Sequence, residues 1–313
     1  MLSFDLNEIN RRAKTDPAGF VAECEHDYNR KLAGASAHLA EMAADRPIVL
    51  LAGPSGSGKT TTAHVLSDML NQRGVGTHMV SLDNYYKTIV AGQQPLDENG
   101  EVDYESPECL DLPLLEEHFV ALAEGREVGV PRFDFPRQCR AEGGGVPLKR
   151  NPGEVVIFEG IHALNPMLSG AASEASMKIY ISARSSVMDE RKEFFKNTWQ
   201  RLLRRMIRDM QFRGAGAVFT LGLWPSVRRG EKRFISPYKD SASIILDTSH
   251  PCEVSILSAA ALALWNDLPP NFEPQGVLSQ IPGKLKRFVP IEEGLLSPRA
   301  LLREFIGGSE IEY

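Results

Sequence analysis

Short apolar runs separated by stretches with helical spacing dominate residues 46–250 of this chain. The runs lie at Ile48 to Leu51, Val75 to Leu82, Val155 to Phe158, Lys178 to Ser182 and Ser243 to Leu246. Continuous apolar runs of this length are typical of parallel strands that are buried on both faces. The alternation of strands and helices therefore predicts an α/β fold, a parallel sheet with helices on both of its faces.

The two ends of the chain follow other patterns. Residues 1–45 carry apolar positions at helical spacing among many charges, and Asp16-Pro17 predicts a break between two helices. We expect this helical leader to pack on the central domain, with a partner-binding helix as the alternative. Residues 251–313 form a C-terminal extension, which we expect to dock on the domain or to provide a subunit interface in a homo-oligomer.

Composition and charge narrow the class of protein. The 313 residues include 42% hydrophobic and 24% charged residues, and the formal net charge is −6. These values are ordinary for a globular protein and argue against general affinity for nucleic acid or for anionic membranes. The apolar stretch from Ile256 to Trp265 is too short to span a bilayer. Four dispersed cysteines without a C-x-x-C pair favour reduced thiols, so we expect a cytoplasmic protein.

A phosphate-binding motif directly follows the first apolar run. Residues 53–60, hereafter the phosphate loop, fit G-x-x-x-x-G-K-[ST] between a predicted strand and a predicted helix. Inward N–H groups and the positive end of the helix form an anion cradle. Lys59 adds charge for the outer phosphates, and Thr60 offers a hydroxyl to Mg²⁺. The predicted nucleotide-binding residues are Gly53, Pro54, Ser55, Gly56, Ser57, Gly58, Lys59, Thr60 and Thr61.

Carboxylates end two of the other predicted strands. Asp83 follows the run that ends at Leu82, and Glu159 follows the run that ends at Phe158. Because ligands of such sheets bind at the carboxyl ends of the strands, we expect both residues beside the phosphate loop. Asp83 suits a base for an acceptor hydroxyl or a group that holds a metal-bound water, although Asp-Asn is also typical of a turn. Glu159 suits a magnesium ligand together with Thr60, with a solvated strand-end carboxylate as the alternative.

An arginine-rich helix is predicted around residues 201–210. At about 100° per residue, four arginines gather on one side of this helix, and apolar residues gather on the other. Four like charges on adjacent turns repel one another, and Asp209 is the only acid among them, so a polyphosphate would relieve the repulsion. We interpret residues 201–230 as a lid over the nucleotide; a solvated surface helix and an RNA-binding helix are the alternatives. The arginines are Arg201, Arg204, Arg205 and Arg208.

Taken together, these blocks resemble the uridine kinase and phosphoribulokinase group of phosphate-loop kinases, most closely the uridine kinase branch. The resemblance covers residues 46–250 and implies a kinase domain that transfers the γ-phosphate of ATP, with Mg²⁺, to the 5′-hydroxyl of a nucleoside. The matching blocks are Gly53 to Thr61, Ser81 to Tyr86, Asp103 to Asp111, Pro131 to Arg140, Phe158 to Ile161, Arg204 to Asp209 and Ile235 to Ala242.

The resemblance also implies roles for individual residues. Asp83 would be the base, and Arg205, Arg208 and Arg213 would hold phosphates from the lid. The catalytic residues would be Lys59, Asp83, Arg205 and Arg208. The nucleotide site would include Arg213, and the metal ligands would be Thr60 and Glu159. The substrate site would comprise Tyr86, Glu105, Phe133, Asp134, Gln138 and Arg140.

Three acceptor-site positions depart from the family pattern. Glu105 stands where the family has an aspartate on the ribose, while Phe133 and Gln138 stand where pyrimidine kinases have a tyrosine and a histidine. These changes alter what the base pocket can hydrogen-bond. A kinase for a sugar phosphate or a pantothenate-like hydroxyl, and a nucleotide-binding regulator without turnover, therefore stay open as alternatives. His162, close to Glu159, receives no predicted role.

Overall fold

The computed structural model describes residues 3–143, 145–170, 174–274 and 276–312. The strands are β1 (Ser3–Asp5), β2 (Ile48–Ala52), β3 (Thr77–Ser81), β4 (Val128–Val130), β5 (Phe133–Asp134), β6 (Cys139–Arg140), β7 (Val146–Leu148), β8 (Val155–Gly160), β9 (Ser176–Ser182), β10 (Ser186–Asp189), β11 (Lys192–Phe195) and β12 (Ile244–Asp247). The helices are α1 (Leu6–Thr15), α2 (Pro17–Met42), α3 (Lys59–Gln72), α4 (Leu112–Ala123), α5 (Pro166–Ser169), α6 (Asn197–Phe212), α7 (Ala217–Gly230), α8 (Glu253–Asn266), α9 (Ile281–Leu285) and α10 (Arg303–Ile306).

A five-stranded parallel sheet forms the centre of the molecule, in the order β12-β9-β2-β8-β3. All residues of β2 and β8 are buried, as their continuous apolar sequence predicts. The register pairs Leu51 with Glu159 and Ser81 with Glu159, so the carboxyl ends of β2, β3 and β8 lie side by side. The predicted parallel sheet and its five strands are confirmed.

Helices cover both faces of this sheet. Val49 and Leu51 of β2 belong to an apolar cluster with α2, α3, α6 and α8. Ile48 and Leu50 belong to a second cluster that contains Leu115 of α4. Because successive strand side chains point to opposite faces, one strand contributes to both clusters. Among the described residues, no helix combines the length and the apolarity that crossing a bilayer requires.

The leader packs on the sheet domain through α1 and α2. The break between them lies at Asp16, whose carboxylate accepts a hydrogen bond from the Gly19 N–H at 2.9 Å and caps α2. Leu32 on α2 is fully buried, and the hydroxyls of Tyr28 and Thr62 are 2.6 Å apart. The first described residues of the leader form the short strand β1, which pairs with β10 in a second sheet that the apolar pattern did not predict.

The described residues of the C-terminal extension also pack on the domain. Helix α8 and the end of the chain join the cluster that covers one face of the sheet, through Leu257, Leu301 and Phe305 among others. Helix α10 packs against α6. This path brings Leu301 to the phosphate loop at Gly58 and Glu304 to Thr61 at the start of α3.

Candidate active site

The phosphate loop connects the central strand β2 to helix α3. Gly56 and Gly58 adopt positive φ angles of 72° and 85°, which favour glycine. A Cβ at Gly56 would lie 2.7 Å from the Arg201 carbonyl oxygen, and one at Gly53 would lie 2.3 Å from the Ile181 carbonyl oxygen. The loop therefore needs these glycines both for its curvature and for its close packing. Gly58 is the N-cap of α3 and has no side chain, so no N-cap side chain competes with an anion for the first N–H groups of the helix.

Arg204 supports the phosphate loop from behind. Its guanidinium is fully buried and forms two hydrogen bonds with the Glu253 carboxylate, at 2.7 and 2.6 Å. It also donates to the Gly56 carbonyl oxygen at 3.1 Å and to the Thr248 carbonyl oxygen at 2.7 Å. One guanidinium thus connects the loop to α8 and to the segment that follows β12.

Arg201 is a second buried support. It donates to the Glu231 carboxylate at 2.7 Å and to the Ser55 carbonyl oxygen at 3.2 Å. The expectation that four weakly compensated guanidiniums face a polyphosphate is therefore wrong for Arg201 and Arg204. Their counter-charges, Glu231 and Glu253, lie outside the helix, so the helical pattern of α6 could not show them.

Arg205 and Arg208 lie on the open side of the loop. Arg205 donates to the Ser55 hydroxyl at 3.0 Å and to the Asp209 carboxylate at 3.2 Å. Arg208 donates to the Glu304 carboxylate at 3.4 Å. Burial, together with nearby Arg213, lowers the pKa of Arg208 to about 10, and Glu304 opposes this shift. An anion beside the Arg208 guanidinium, where Glu304 lies, stabilises the positive charge of that side chain.

A cavity of about 1140 Å³ extends from the phosphate loop to a group of aromatic side chains. It brings together most of the residues that the sequence analysis predicted for the nucleotide, metal and substrate sites. Those that line it are Ser55, Gly56, Gly58, Lys59, Thr60, Asp83, Tyr86, Glu105, Phe133, Gln138, Glu159, Arg205, Arg208 and Arg213.

Two carboxylates and a lysine meet at the strand ends. Burial raises the pKa of Glu159 to about 7, and Lys59 opposes this shift. Burial also lowers the pKa of Lys59, which Glu159 and Asp83 oppose in turn. Asp83 lies in the turn directly after β3 and lines the same cavity. The cluster is therefore a set of mutually compensating charges at the end of the phosphate loop.

Thr60 and Glu159 have the chemistry that a magnesium ion needs. Both line the cavity and offer hard oxygen donors, and Glu159 is a buried carboxylate whose charge a cation would stabilise. Mg²⁺ in phosphate-transferring sites is typically held by one or two protein groups together with substrate phosphates. The described residues contain no cluster of three or more histidine, cysteine or acidic side chains that would hold a metal alone. The donors thus fit a metal that binds together with a nucleotide.

Aromatic rings form the other end of the cavity. The Tyr86 ring centroid lies 5.7 Å from that of Phe133 and 6.2 Å from that of Phe135. Phe135 is 55% exposed and was not among the predicted site residues. Alternation of Phe133 and Phe135 about Asp134 would have indicated it, since such side chains share one face of an extended segment.

Glu105 lies against helix α7. Its Cβ occupies the space next to Gly230, where an added Cβ would lie only 2.3 Å away. Burial raises the pKa of Glu105 to about 7, and Arg205 opposes this shift. The absence of a side chain at Gly230 makes room for a glutamate in this position.

Asp134 and Arg140 do not line the cavity. Arg140 donates to the Asp111 carboxylate at 2.9 Å and to the Tyr85 carbonyl oxygen at 3.3 Å. Asp134 accepts a hydrogen bond from the Arg137 N–H at 3.0 Å. The structure therefore places both residues in contacts between and within loops, outside the cavity lining. His162 is also absent from the cavity lining, and burial lowers its pKa to about 4.

Several lining residues were not predicted from the sequence. Phe212, Phe219 and Leu223 contribute an apolar wall from α6 and α7, and Tyr104 lies beside Glu105. Glu304 reaches the phosphate loop from the C-terminal extension. No motif marks Glu304, because its partner Thr61 is 243 residues away in the sequence.

Comparisons with known proteins agree with this geometry. A sequence profile of the Phosphoribulokinase / Uridine kinase family matches residues 48–255. Uridine kinase from Lactobacillus johnsonii is 29% identical over 219 residues, which cover 69% of this chain and 93% of that protein. Uridine kinase from Staphylococcus aureus is 31% identical over 211 residues, 67% of this chain and 91% of that protein.

Among solved structures, the D-glycerate 3-kinase from Cryptococcus neoformans is similar with a TM-score of 0.44 and 16% identity. The likeness covers 67% of this chain and 89% of that one. One conclusion follows from the phosphate loop, from the strand-end carboxylates and from the family profile, which matches two thirds of the sequence. This chain belongs to the phosphoribulokinase and uridine kinase family of phosphate-loop kinases.

Proposed function

We propose that this protein transfers the γ-phosphate of ATP to the 5′-hydroxyl of a nucleoside. The observation that carries the proposal is a single cavity with a phosphate loop at one end and the rings of Tyr86, Phe133 and Phe135 at the other. Family membership implies ATP as the donor. Aromatic faces suit a planar base, because stacking needs no particular hydrogen-bond pattern.

Charge at the strand ends supports phosphoryl transfer. Lys59, Arg205 and Arg208 line the cavity beside the loop and would stabilise charge on the transferred group. Asp83 would accept the proton of the acceptor hydroxyl as that oxygen attacks the γ-phosphorus, and ADP would leave. Mg²⁺, held by Thr60 and Glu159 together with the phosphates, would neutralise charge on the β- and γ-phosphates.

The acceptor end favours a nucleoside over a sugar phosphate. Glu105 and Glu108 line it together with the aromatic rings. Carboxyl groups can hydrogen-bond the hydroxyls of a ribose, and an ionised carboxylate repels a phosphate group. Phe133 offers no hydrogen bond to a base, so selection among bases would depend on Gln138 and on main-chain groups.

The acceptor class is tested with purified protein, Mg-ATP and a panel of nucleosides and sugar phosphates, with ADP release as the readout. We expect ADP release that depends on a nucleoside and yields a 5′-monophosphate. Activity on a sugar phosphate with no turnover of any nucleoside would overturn the proposal.

The role of Asp83 is tested with Asp83→Asn. The amide keeps the shape of the side chain but cannot take the proton, so kcat should fall by about 10² to 10⁴ while the Kd for ATP stays nearly unchanged. Asp45→Asn, an exposed site after α2, is the matched control and should keep full activity. If the affinity for ATP collapses in Asp83→Asn, the residue is mainly structural.

A further inference from the structure

The C-terminal extension places a carboxylate in the anion cradle of the phosphate loop. Glu304 on α10 accepts hydrogen bonds from the Thr61 N–H at 3.2 Å and from the Thr61 hydroxyl at 2.7 Å. Thr61 lies in the first turn of α3, where the helix N–H groups have no partner within the helix. Glu304 is only 7% exposed. Its position is that of an anion bound at a helix N-terminus.

Arg208 of α6 contacts the same Glu304 carboxylate. Arg208 donates to Glu304 at 3.4 Å, across a sequence separation of 96 residues. The ring of Phe305, the next residue, lies 5.8 Å from the Arg208 guanidinium and 5.3 Å from that of Arg204. Glu304 and Phe305 thus engage α6 on the side where it faces the loop.

Leu301 brings the extension onto the loop itself. Its side chain is 2% exposed, and a Cβ at Gly58 would lie 2.7 Å from its Cδ1 atom. Residues 301–306, hereafter the C-terminal clasp, therefore touch the phosphate loop at Gly58 and the start of α3 at Thr61. Both contacts lie where backbone N–H groups cradle the phosphates of a nucleotide.

We propose that the C-terminal clasp is an autoinhibitory contact, in which Glu304 occupies part of the site of the nucleotide phosphates and must leave when ATP binds. The proposal rests on the proposed function, since it concerns the ATP site of that same reaction. A carboxylate and a polyphosphate compete for the same N–H group and the same guanidinium, and their like charges repel. Displacement of Glu304 frees Arg208 for the phosphates.

Only molecules with an open clasp bind ATP. The apparent affinity for ATP is therefore the affinity of the open form multiplied by the fraction of molecules in which the clasp is open. Glu304→Gln keeps a side chain of the same size but removes the charge that competes with phosphate. We expect this variant to bind Mg-ATP about tenfold more tightly than the wild type in calorimetric titration. Glu292→Gln, which removes an exposed carboxylate from the same extension, is the matched control and should leave the affinity unchanged.

Amide hydrogen exchange distinguishes two explanations for tighter ATP binding by Glu304→Gln: displacement of the clasp by ATP, and loss of the repulsion between Glu304 and the phosphates. In the wild type, saturating Mg-ATP should increase amide exchange at residues 301–306, because the clasp leaves the loop, while exchange in β2 and β8 stays slow. Slower or unchanged exchange at 301–306, together with equal ATP affinity in wild type and Glu304→Gln, would show that Glu304 is a fixed part of the site and would overturn the clasp.

The two proposals fail in different ways. Phosphorylation of a nucleoside with no effect of Glu304→Gln and no change in exchange contradicts the clasp and leaves the proposed function intact. Absence of ATP binding in wild type and in Glu304→Gln contradicts both. Tight ATP binding in Glu304→Gln without turnover of any acceptor supports the clasp and contradicts the proposed function.

Discussion

Arginines that are neighbours on one helix have different surroundings in this protein. Arg204 is fully enclosed and paired with Glu253, whereas Arg208 reaches the cavity. The distinction lies in their partners, because the Arg204 guanidinium is enclosed by the Glu253 carboxylate and two carbonyl oxygens, whereas Arg208 has one carboxylate partner and lines the cavity. At the scale of the single residue, the surroundings of an arginine, and not its residue type, decide whether it supports the phosphate loop or can contact a ligand in the cavity.

His250 shows the same effect of environment on a titratable group. Burial, together with the nearby Arg204 guanidinium, lowers the pKa of His250 to about 3, and its Nδ1 atom lies 3.1 Å from the Thr248 carbonyl oxygen. The unfolded chain takes up this proton near pH 6.5. The unfolded state therefore binds more protons between pH 6.5 and 3, and the free energy of unfolding falls as the pH falls through that window.

We expect His250 to contribute a loss of about 1.4 kcal/mol per pH unit below 6.5, measured by urea unfolding between pH 7 and 4. His250→Gln can still donate to the Thr248 carbonyl oxygen, and it should lose less stability than the wild type over this range. His38→Gln, at an exposed position of α2, serves as the control and should follow the wild type. Parallel profiles of wild type and His250→Gln would contradict the assignment.

At the scale of the element, the phosphate loop depends on helix α6 behind it. Arg201 and Arg204 donate to the carbonyl oxygens of Ser55 and Gly56, respectively. These bonds hold the Ser55 and Gly56 carbonyl groups toward α6 and so help to fix the curvature of the loop. The loop motif is local, but its support comes from residues about 150 positions later in the chain.

Glu253→Gln tests this support. The substitution leaves the Arg204 charge buried without its carboxylate, so the free energy of unfolding should fall by about 3–5 kcal/mol. The affinity for ATP should fall as well, because Arg204 also holds the Gly56 carbonyl group. Urea unfolding and calorimetric titration measure the two effects.

The matched control for Glu253→Gln is Asp68→Asn. Asp68 pairs with Arg299 at the surface, where both side chains are 48% exposed. Exposed ion pairs contribute at most about 1 kcal/mol, so the control should stay close to the wild type. Equal losses in the two variants would mean that the buried pair has no special role.

At the scale of the whole molecule, the leader and the extension belong to the same apolar cluster as the sheet. Leu32 of α2, Leu66 of α3 and Phe305 of α10 all lie in this cluster and are fully buried. The chain ends are therefore packed on the domain that carries the loop. The extension can consequently influence the nucleotide site, as the proposed clasp requires.

Leu32→Ala tests the contribution of the leader. A cavity in the shared cluster should reduce the free energy of unfolding by about 2–5 kcal/mol in urea unfolding. Glu41→Ala, at an exposed position of the same helix, should change it by less than about 0.5 kcal/mol. A small effect of Leu32→Ala would mean that the leader packs only loosely on the domain.

Local patterns predicted the phosphate loop, the five parallel strands and the position of Asp83 and Glu159 at the strand ends. Each of these follows from consecutive residues or from the geometry of a parallel sheet. The hairpin of β10 and β11 was not predicted, because its strand sequences, SVMD and KEFF, are neither continuous apolar runs nor strictly alternating ones. The resemblance to the family assigned Arg140 to the substrate site. In the structure its guanidinium contacts Asp111 and Tyr85, and Arg140 is not among the residues that line the cavity.

The sequence by itself determined the class of site, because the glycine-rich loop, the lysine and the strand-end carboxylates are set by short segments with fixed backbone geometry. Only the tertiary structure decided which arginines support the loop and which face the cavity, since their partners Glu231 and Glu253 are 30 and 49 residues away. It alone also brought Glu304 to Thr61, across 243 residues. Burial and charge pairing depend on elements that meet only after folding, and the chain carries no local record of those contacts.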